Sequence, residues 1–136
     1  MPPKEATQDK PLILLVEDDG FLRDIFSRKL SSNFGIKSTD NGEEAISIII
    51  KDAPALVLLD LNLPEESGFD ILRKIRENDK IKDTLVFILT NSVLSEDLKT
   101  SNELHADDFI TKADFTLDEI IEKIEKHLSS KILSKK

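Results

Sequence analysis

The chain has 136 residues, a formal net charge of -8 at pH 7 and no cysteine. This length suits one domain with its own core, and the lack of thiols excludes disulfides, thiolate metal sites and cysteine nucleophiles. The acidic balance argues against nucleic-acid binding. The longest apolar runs, such as LILLV, are too short to span a membrane, and the N-terminus lacks the apolar stretch of a secretory signal. We therefore expect a cytoplasmic protein with no nucleic-acid or membrane partner.

Short aliphatic runs alternate with helical periodicities along the chain. The predicted strands, in chain order, are 12–16, 35–39, 55–60, 84–90 and 107–111. Apolar residues recur at helical spacing over 21–30 and 117–128. Ser67 and Asp70 form a capping-box pattern before a helix at 68–77, and Thr116 and Glu119 form another before the last helix.

The segment 95–104 is a weaker helix. Its start, Ser95-Glu96-Asp97, is favourable, but only Leu98 and Leu104 form its apolar stripe. A helix with so few buried contacts is typical of a mobile element. The two histidines, His105 and His127, are expected at the surface and are not predicted to donate a phosphoryl group.

The alternation of strands and helices predicts a parallel sheet with helices on both faces. We therefore expect an α/β fold with a doubly wound, five-stranded parallel sheet over residues 11–130. Residues 1–10 and 131–136 are predicted to be loose terminal segments.

Polar side chains follow four of the five predicted strands, at the edge where such sheets bind ligands. They are Glu17, Asp18 and Asp19 after the first strand, Asp60 and Asn62 at the third, Thr90 at the fourth, and Lys112 after the fifth. Each alone has a plainer interpretation, such as a solvated helix start, a turn, a strand end or a surface charge. Because all of them occur at strand ends whose interiors are aliphatic, the pattern favours one shared site.

The chemistry of such a site follows from its charges. Clustered carboxylates repel one another, and Mg²⁺, which prefers oxygen ligands, would remove that repulsion. Lys112 adds a fixed positive charge and Thr90 adds a hydrogen-bond donor beside Asp60. Together they indicate phosphoryl transfer, with Asp60 as the nucleophile that forms an acyl phosphate.

The sequence resembles the response-regulator receiver domains of two-component signalling over about residues 12–128. The resemblance rests on LILLVEDD with Arg23 downstream, LLDLNLP with Gly68 eight residues after Asp60, ILT ending at Thr90, and ADDFITK. Thirty residues separate Asp60 from Thr90 and twenty-two separate Thr90 from Lys112, as in the family. The resemblance implies a flavodoxin-like fold with strand order 2-1-3-4-5.

The resemblance also implies a role for each site residue. Asp60 corresponds to the phosphorylated aspartate, and Lys112 to the lysine that pairs with the phosphoryl group. Thr90 corresponds to the hydroxyl that bonds this group, and Phe109 to the aromatic residue that switches with it. The implied Mg²⁺ ligands are Glu17, Asp18, Asp60 and the backbone carbonyl of Asn62, whereas Asp19 falls one position beyond the acidic pair.

Two positions depart from the family pattern. Asn91 follows Thr90 where the family usually has a small residue, which predicts narrower access to Asp60. Ala113 follows Lys112 where the family usually has proline, commonly with a cis bond, and a non-proline cis bond costs about 2.5–4 kcal/mol. The loop after the fifth strand is therefore expected to run differently from that of most relatives.

The implied function is that of a stand-alone phosphoacceptor, and not of an enzyme with its own substrate. A histidine kinase or histidine phosphotransfer protein would phosphorylate Asp60 with Mg²⁺. The face built by the helix at 95–104, the fifth strand and the last helix would then change. This change would control binding of an unknown downstream protein, onward phosphotransfer, or formation of a phosphorylation-dependent homodimer.

Four other interpretations are weaker. A degenerate receiver acting as a phosphorylation-independent interaction module is the main alternative, and the intact Asp60, Thr90 and Lys112 argue against it. An aspartyl phosphatase would need a D-x-D motif after the first strand, and a toprim-like enzyme would need a basic surface. A flavin-binding flavodoxin would need a hydroxyl- and glycine-rich phosphate loop where this chain has three acids.

Overall fold

The computed structural model describes residues 10–91 and 95–134, with the side chains of 130–134 excepted. Five parallel strands form one sheet in the order β2-β1-β3-β4-β5. The elements in chain order are β1 (Leu12–Val16), α1 (Gly20–Leu30), β2 (Gly35–Thr39), α2 (Gly42–Asp52), β3 (Leu56–Asp60), α3 (Gly68–Glu77), β4 (Leu85–Thr90), α4 (Ser95–Glu103), β5 (Asp108–Thr111), a 3-10 turn (Lys112–Asp114) and α5 (Leu117–Ser134).

The predicted fold class and strand order are confirmed, and each predicted strand agrees with its observed limits to within one residue. The helix α2 was not predicted from the sequence. This helix begins after Asn41, whose side chain accepts a hydrogen bond from the Glu44 N–H as an N-cap. The last helix continues through Ser134, four residues beyond the predicted domain limit at 130.

The core lies on both faces of the sheet, because alternate strand residues point to opposite sides. On one face the buried strand residues are Ile13, Leu15, Leu56, Leu58, Phe87, Leu89 and Ile110, which pack against α1 and α5. On the other face they are Leu14, Val16, Val57, Leu59, Val86 and Ile88, which pack against α2 and α3. Each fully buried aliphatic side chain contributes about 1.5–3 kcal/mol, so the three central strands hold the sheet rigidly.

Both predicted capping boxes form. Ser67 and Asp70 cap α3 reciprocally, and the Thr116 N–H donates to Glu119 while the Glu119 N–H donates back to the Thr116 hydroxyl. These caps fix where α3 and α5 begin. His105 is exposed, as predicted, whereas His127 is half-buried and its ring meets the edge of Phe87 with centroids 4.8 Å apart.

Gly68 explains why the segment after β3 turns where it does. A Cβ built at this position would lie 2.5 Å from the Asp60 carbonyl oxygen and 2.9 Å from the Leu61 Cα. Real Cβ atoms do not approach backbone so closely, so only glycine allows the start of α3 to pass against the end of β3. The close approach holds the backbone of Asp60 in place at the rim of the sheet.

Candidate functional site

Three carboxylates meet at the carboxyl ends of β1 and β3. Glu17, Asp18 and Asp60 each offer an oxygen, and these oxygens all lie within 4.8 Å of one another. Glu17 and Asp60 are buried, while Asp18 is exposed. β1 and β3 are parallel neighbours in the sheet, so their final residues reach the same edge. The cluster is therefore open to solvent at Asp18.

Glu17 is held through both its backbone and its side chain. Its N–H donates to the Thr39 carbonyl at 3.0 Å, and its own carbonyl accepts from Arg23 Nη1 at 2.9 Å. Its carboxylate accepts from the Asp19 N–H at 3.2 Å and from Lys112 Nζ at 2.8 Å. Two hydrogen bonds to the backbone and two to the carboxylate thus hold this buried residue in place.

Lys112 reaches the cluster from the 3-10 turn after β5. Its Nζ lies 2.8 Å from Glu17 Oε1 and 3.5 Å from Asp60 Oδ2. The nearest carboxylate is therefore Glu17, which the sequence did not indicate. Ala113 leaves Lys112 within reach of the cluster, and the described residues contain no cis peptide bond.

Asp60 has an unusual protonation equilibrium. Its pKa is raised from the ordinary 3.8 to about 7, first by burial and second by a hydrogen bond with the Glu17 carboxyl. The Asn62 N–H, which donates to Asp60 Oδ1 at 3.0 Å, and the Lys112 charge act in the opposite direction. A negative charge on Asp60 is thus costly where it stands, and a nearby cation would stabilise it.

The remaining predicted residues lie along β4 and β5. Thr90 is fully buried at the end of β4, one residue beyond Leu89, which pairs with Asp60. Asn91 follows it and is exposed. Phe109 in β5 is half-buried and packs against the apolar cluster on the α2 and α3 face. The roles predicted for Thr90, Phe109 and the Asn62 carbonyl stay predictions.

Asp19 has a function that spacing alone left open. Its Oδ1 accepts hydrogen bonds from the N–H groups of Phe21 and Leu22, at 2.9 Å and 3.1 Å, so it is the N-cap of α1. The contact of Arg23 with Glu17 was not predicted either, because the sequence indicated Arg23 only through its spacing from the acidic residues. The signal available for Asp19 was its place immediately before Gly20 and the apolar helical pattern.

The donor set suits a hard divalent cation. Three carboxylates supply oxygen ligands only, without sulfur or nitrogen, which is the preference of Mg²⁺ and Mn²⁺. A cation there would also offset the repulsion between two buried acids. The acidic pocket can therefore bind a metal ion.

The fold and this rim define a class, the two-component receiver domain. The chain belongs to that family, because the model for the response regulator receiver domain matches residues 13–125. Receiver domains are signalling modules that interact with histidine kinases or phosphotransfer proteins. In the part of the chain that the structure describes, no helix has the length and apolarity needed to cross a membrane.

The chain is also similar in sequence to individual response regulators. The chain is 38% identical over 113 residues to the cell cycle response regulator CtrA of Brucella ovis. The matched residues make up 82% of this chain and 47% of CtrA. The chain thus spans about half the length of the curated relatives it matches.

Two solved structures are also similar. The phosphorylated cyanobacterial phytochrome response regulator RcpA is 28% identical to this chain with a TM-score of 0.75. The match covers 90% of this chain and 96% of the RcpA chain. The Mn²⁺-bound form of response regulator Rcp1 is 30% identical to this chain with a TM-score of 0.69. The match covers 79% of this chain and 85% of the Rcp1 chain.

Proposed function

We propose that the chain is a phosphoacceptor whose Asp60 takes a phosphoryl group from a phosphohistidine on a partner histidine kinase or phosphotransfer protein. A carboxylate oxygen of Asp60 attacks the phosphorus, the P–N bond to the histidine breaks, and an acyl phosphate forms on Asp60. The observation that carries the proposal is the buried Asp60 held between Glu17, Asp18 and Lys112. A phosphorylated relative, RcpA, supports it.

Glu17, Asp18, Asp60 and the Asn62 carbonyl would hold Mg²⁺ in this site, with Asp18 as the main direct ligand and Glu17 acting through water. When bound, the cation neutralises charge between the carboxylates and the oxygens of the incoming phosphoryl group. The Mn²⁺-bound relative Rcp1 supports a divalent ion. Lys112, already 3.5 Å from Asp60, pairs with the new phosphoryl oxygens.

Asp18→Asn and Asp19→Asn are a matched pair for the metal site. Asp18→Asn should weaken Mg²⁺ binding more, because the Asp19 side chain caps α1 and asparagine caps about as well as aspartate. Because the chain has no tryptophan, calorimetry or NMR titration is the suitable measurement. Equal effects at the two positions would mean that Asp18 is not the main ligand.

Phosphorylation is tested by incubating the protein with acetyl phosphate and Mg²⁺ and measuring its intact mass. We expect one added phosphoryl group, which disappears with a chelator and in Asp60→Asn. Asp40→Asn, an exposed carboxylate after β2, is the control and should behave like the wild type. A modification that survives in Asp60→Asn would refute the assignment. A protein that is never modified would instead be an interaction module.

The output we propose is a change of the face formed by α4, β5 and α5. The phosphoryl group adds roughly two negative charges and draws the Thr90 hydroxyl inward, and Phe109 moves from half-buried to buried. Charge-assisted hydrogen bonds contribute about 1.5–3 kcal/mol each, so two or three approach the ~5.5 kcal/mol that reverses a 1:99 equilibrium. The face would then bind a downstream protein, a second phosphorylated copy, or a partner for onward transfer.

Amide NMR shifts with and without beryllofluoride and Mg²⁺ test this output. We expect shifts at the site loops and also across residues 95–110. If only the loops that hold Asp18, Asp60 and Lys112 respond, the protein is a phosphate carrier without a switch. We further propose that residues 11–130 form the functional unit, that the protein is cytoplasmic, and that it acts on no substrate beyond its own phosphoryl group.

A further inference from the structure

Arg23 contacts the backbone of Glu17 but has no part in the proposed phosphoryl transfer. It lies in the second turn of α1, is half-buried, and its Nη1 donates to the Glu17 carbonyl at 2.9 Å. The guanidinium passes over Gly20, where a Cβ would sit 3.9 Å from Arg23 Nη2. The side chain therefore folds back from the helix onto the end of β1.

The carbonyl that Arg23 holds belongs to the peptide between Glu17 and Asp18, two members of the acidic cluster. A peptide is planar, so fixing its carbonyl restricts the direction in which the chain enters Asp18. On the other side of Glu17, the N–H is fixed by the Thr39 carbonyl at 3.0 Å. Asp18 is exposed, so its place in the cluster is set largely by this backbone.

We propose that Arg23 is a positioning residue for the acidic cluster. By holding the Glu17–Asp18 peptide it keeps the two carboxylates converging on Asp60, and so raises the affinity for a divalent cation. The inference rests on the proposed function, since it concerns the metal site of that function. It assigns no contact between Arg23 and the cation or the phosphoryl group.

The sign of the effect separates positioning from charge. Arg23 is a cation near a cation site, so its charge alone would weaken metal binding, and removing it would strengthen binding. Positioning predicts the reverse. Groups that orient metal ligands typically change affinity by about 10- to 100-fold when removed, so we expect the loss of the hydrogen bond to outweigh the loss of charge.

The experiment compares Arg23→Gln, Arg23→Lys and Arg28→Gln in the full chain, by calorimetric titration with Mg²⁺ alone and by amide NMR shifts of Glu17 and Asp18. Arg28 is the matched control because it lies on the same helix, is 80% exposed and pairs only across one turn with Asp24 among the described residues. We expect Mg²⁺ affinity to fall about tenfold in Arg23→Gln. Arg23→Lys, which keeps a donor, should recover most of the affinity, and Arg28→Gln should leave it unchanged.

Three results would overturn the proposal: unchanged or tighter Mg²⁺ binding in Arg23→Gln, no recovery in Arg23→Lys, or an equal loss in Arg28→Gln. If Arg23→Gln does not fold, the lysine variant decides through the Glu17 and Asp18 amide shifts, which positioning requires to stay close to those of the wild type. The wild type separates the two proposals. Mg²⁺ binding and acetyl phosphate labelling of the wild type with no effect of Arg23→Gln would defeat only this inference, whereas a wild type with neither would defeat the proposed function.

Discussion

The rim of the sheet has two halves that are held in different ways. At β1 and β3, Glu17 is hydrogen-bonded through both its backbone and its carboxylate. The backbone of Asp60 lies against Gly68, where there is no room for a Cβ. At β4 and β5, α4 buries one side chain completely, that of Ser101, and leaves Leu98 45% exposed. Charged groups need a rigid backbone to converge, whereas the proposed movement of α4 requires an element with few buried contacts.

One end of α4 is an exception to this weakness. Arg76, from α3, donates twice to the carbonyl of His105, two residues after the end of α4, and also to the carbonyls of Lys82 and Thr84. It further pairs with Asp107 at 3.1 Å. α4 is therefore anchored at its C-terminal end, and its body is held weakly. Motion about that anchor would move the N-terminal end of α4, which follows Thr90 in the chain, the most.

The largest expected effect concerns the rigid half and its pH dependence. In the folded state Asp60 has a pKa of about 7 against an ordinary 3.8, so the folded chain holds a proton that the unfolded chain has released between these values. The proton on Asp60 therefore stabilises the folded state. Its contribution to the free energy of unfolding is complete below pH 4 and is lost as pH rises through 7. At about 1.4 kcal/mol per pH unit the loss is at most about 4 kcal/mol.

Asp60→Asn should therefore be more stable than the wild type at pH 8, by about 2–4 kcal/mol, with the difference shrinking towards pH 4. Urea unfolding with a chelator at several pH values measures this. Asp40→Asn, with its exposed side chain, should show no such trend. A stability difference that does not vary with pH would mean that the folded structure does not raise the pKa of Asp60.

The anchor of α4 gives the next effect. Arg76→Gln removes hydrogen bonds from a charged donor that is 16% exposed and leaves three carbonyls without it, so we expect a loss of about 2–3 kcal/mol in unfolding free energy. Arg73→Gln on the same helix removes an exposed pair with Asp70 and should cost about 0.5 kcal/mol or less. Equal losses in the two variants would mean that Arg76 does not anchor the C-terminal end of α4.

Much of this arrangement was readable from the sequence. The aliphatic runs of β1, β3 and β4 are buried except for Leu12 and Leu85, the first residues of β1 and β4. Because parallel strands bring their ends to one edge, the convergence of the acidic residues and Lys112 could be expected from strand order. α2 was not assigned because Ile48, Ile49 and Ile50 are consecutive, which hides the helical period. Side-chain geometry, such as the preference of Lys112 for Glu17, has no signature in spacing.

Ser101 gives a smaller effect in the opposite direction. Its hydroxyl is buried without a hydrogen-bond partner among the described residues, which costs about 1–3 kcal/mol. Ser101→Ala should therefore stabilise α4 by about 1 kcal/mol or more, seen as slower amide exchange over residues 96–104. Ser47→Ala, exposed on α2, is the control and should gain only the few tenths expected from helix propensity. A destabilised Ser101→Ala would show that the hydroxyl is satisfied.

The smallest effect lies where the two halves meet. Asn91 is exposed directly after the buried Thr90. We expect its side chain to lie at the entry to Asp60 and to obstruct a small donor or an attacking water. Asn91→Ala should speed acetyl phosphate labelling, loss of the phosphoryl group, or both, by a few-fold, on the order of 1 kcal/mol or less in activation free energy. Asn102→Ala, exposed on α4, controls for a general effect of losing an amide. Faster rates with unchanged Mg²⁺ affinity would assign the obstruction to access alone, because the carboxylates are held by β1 and β3. Unchanged rates would mean that the side chain points away from the entry.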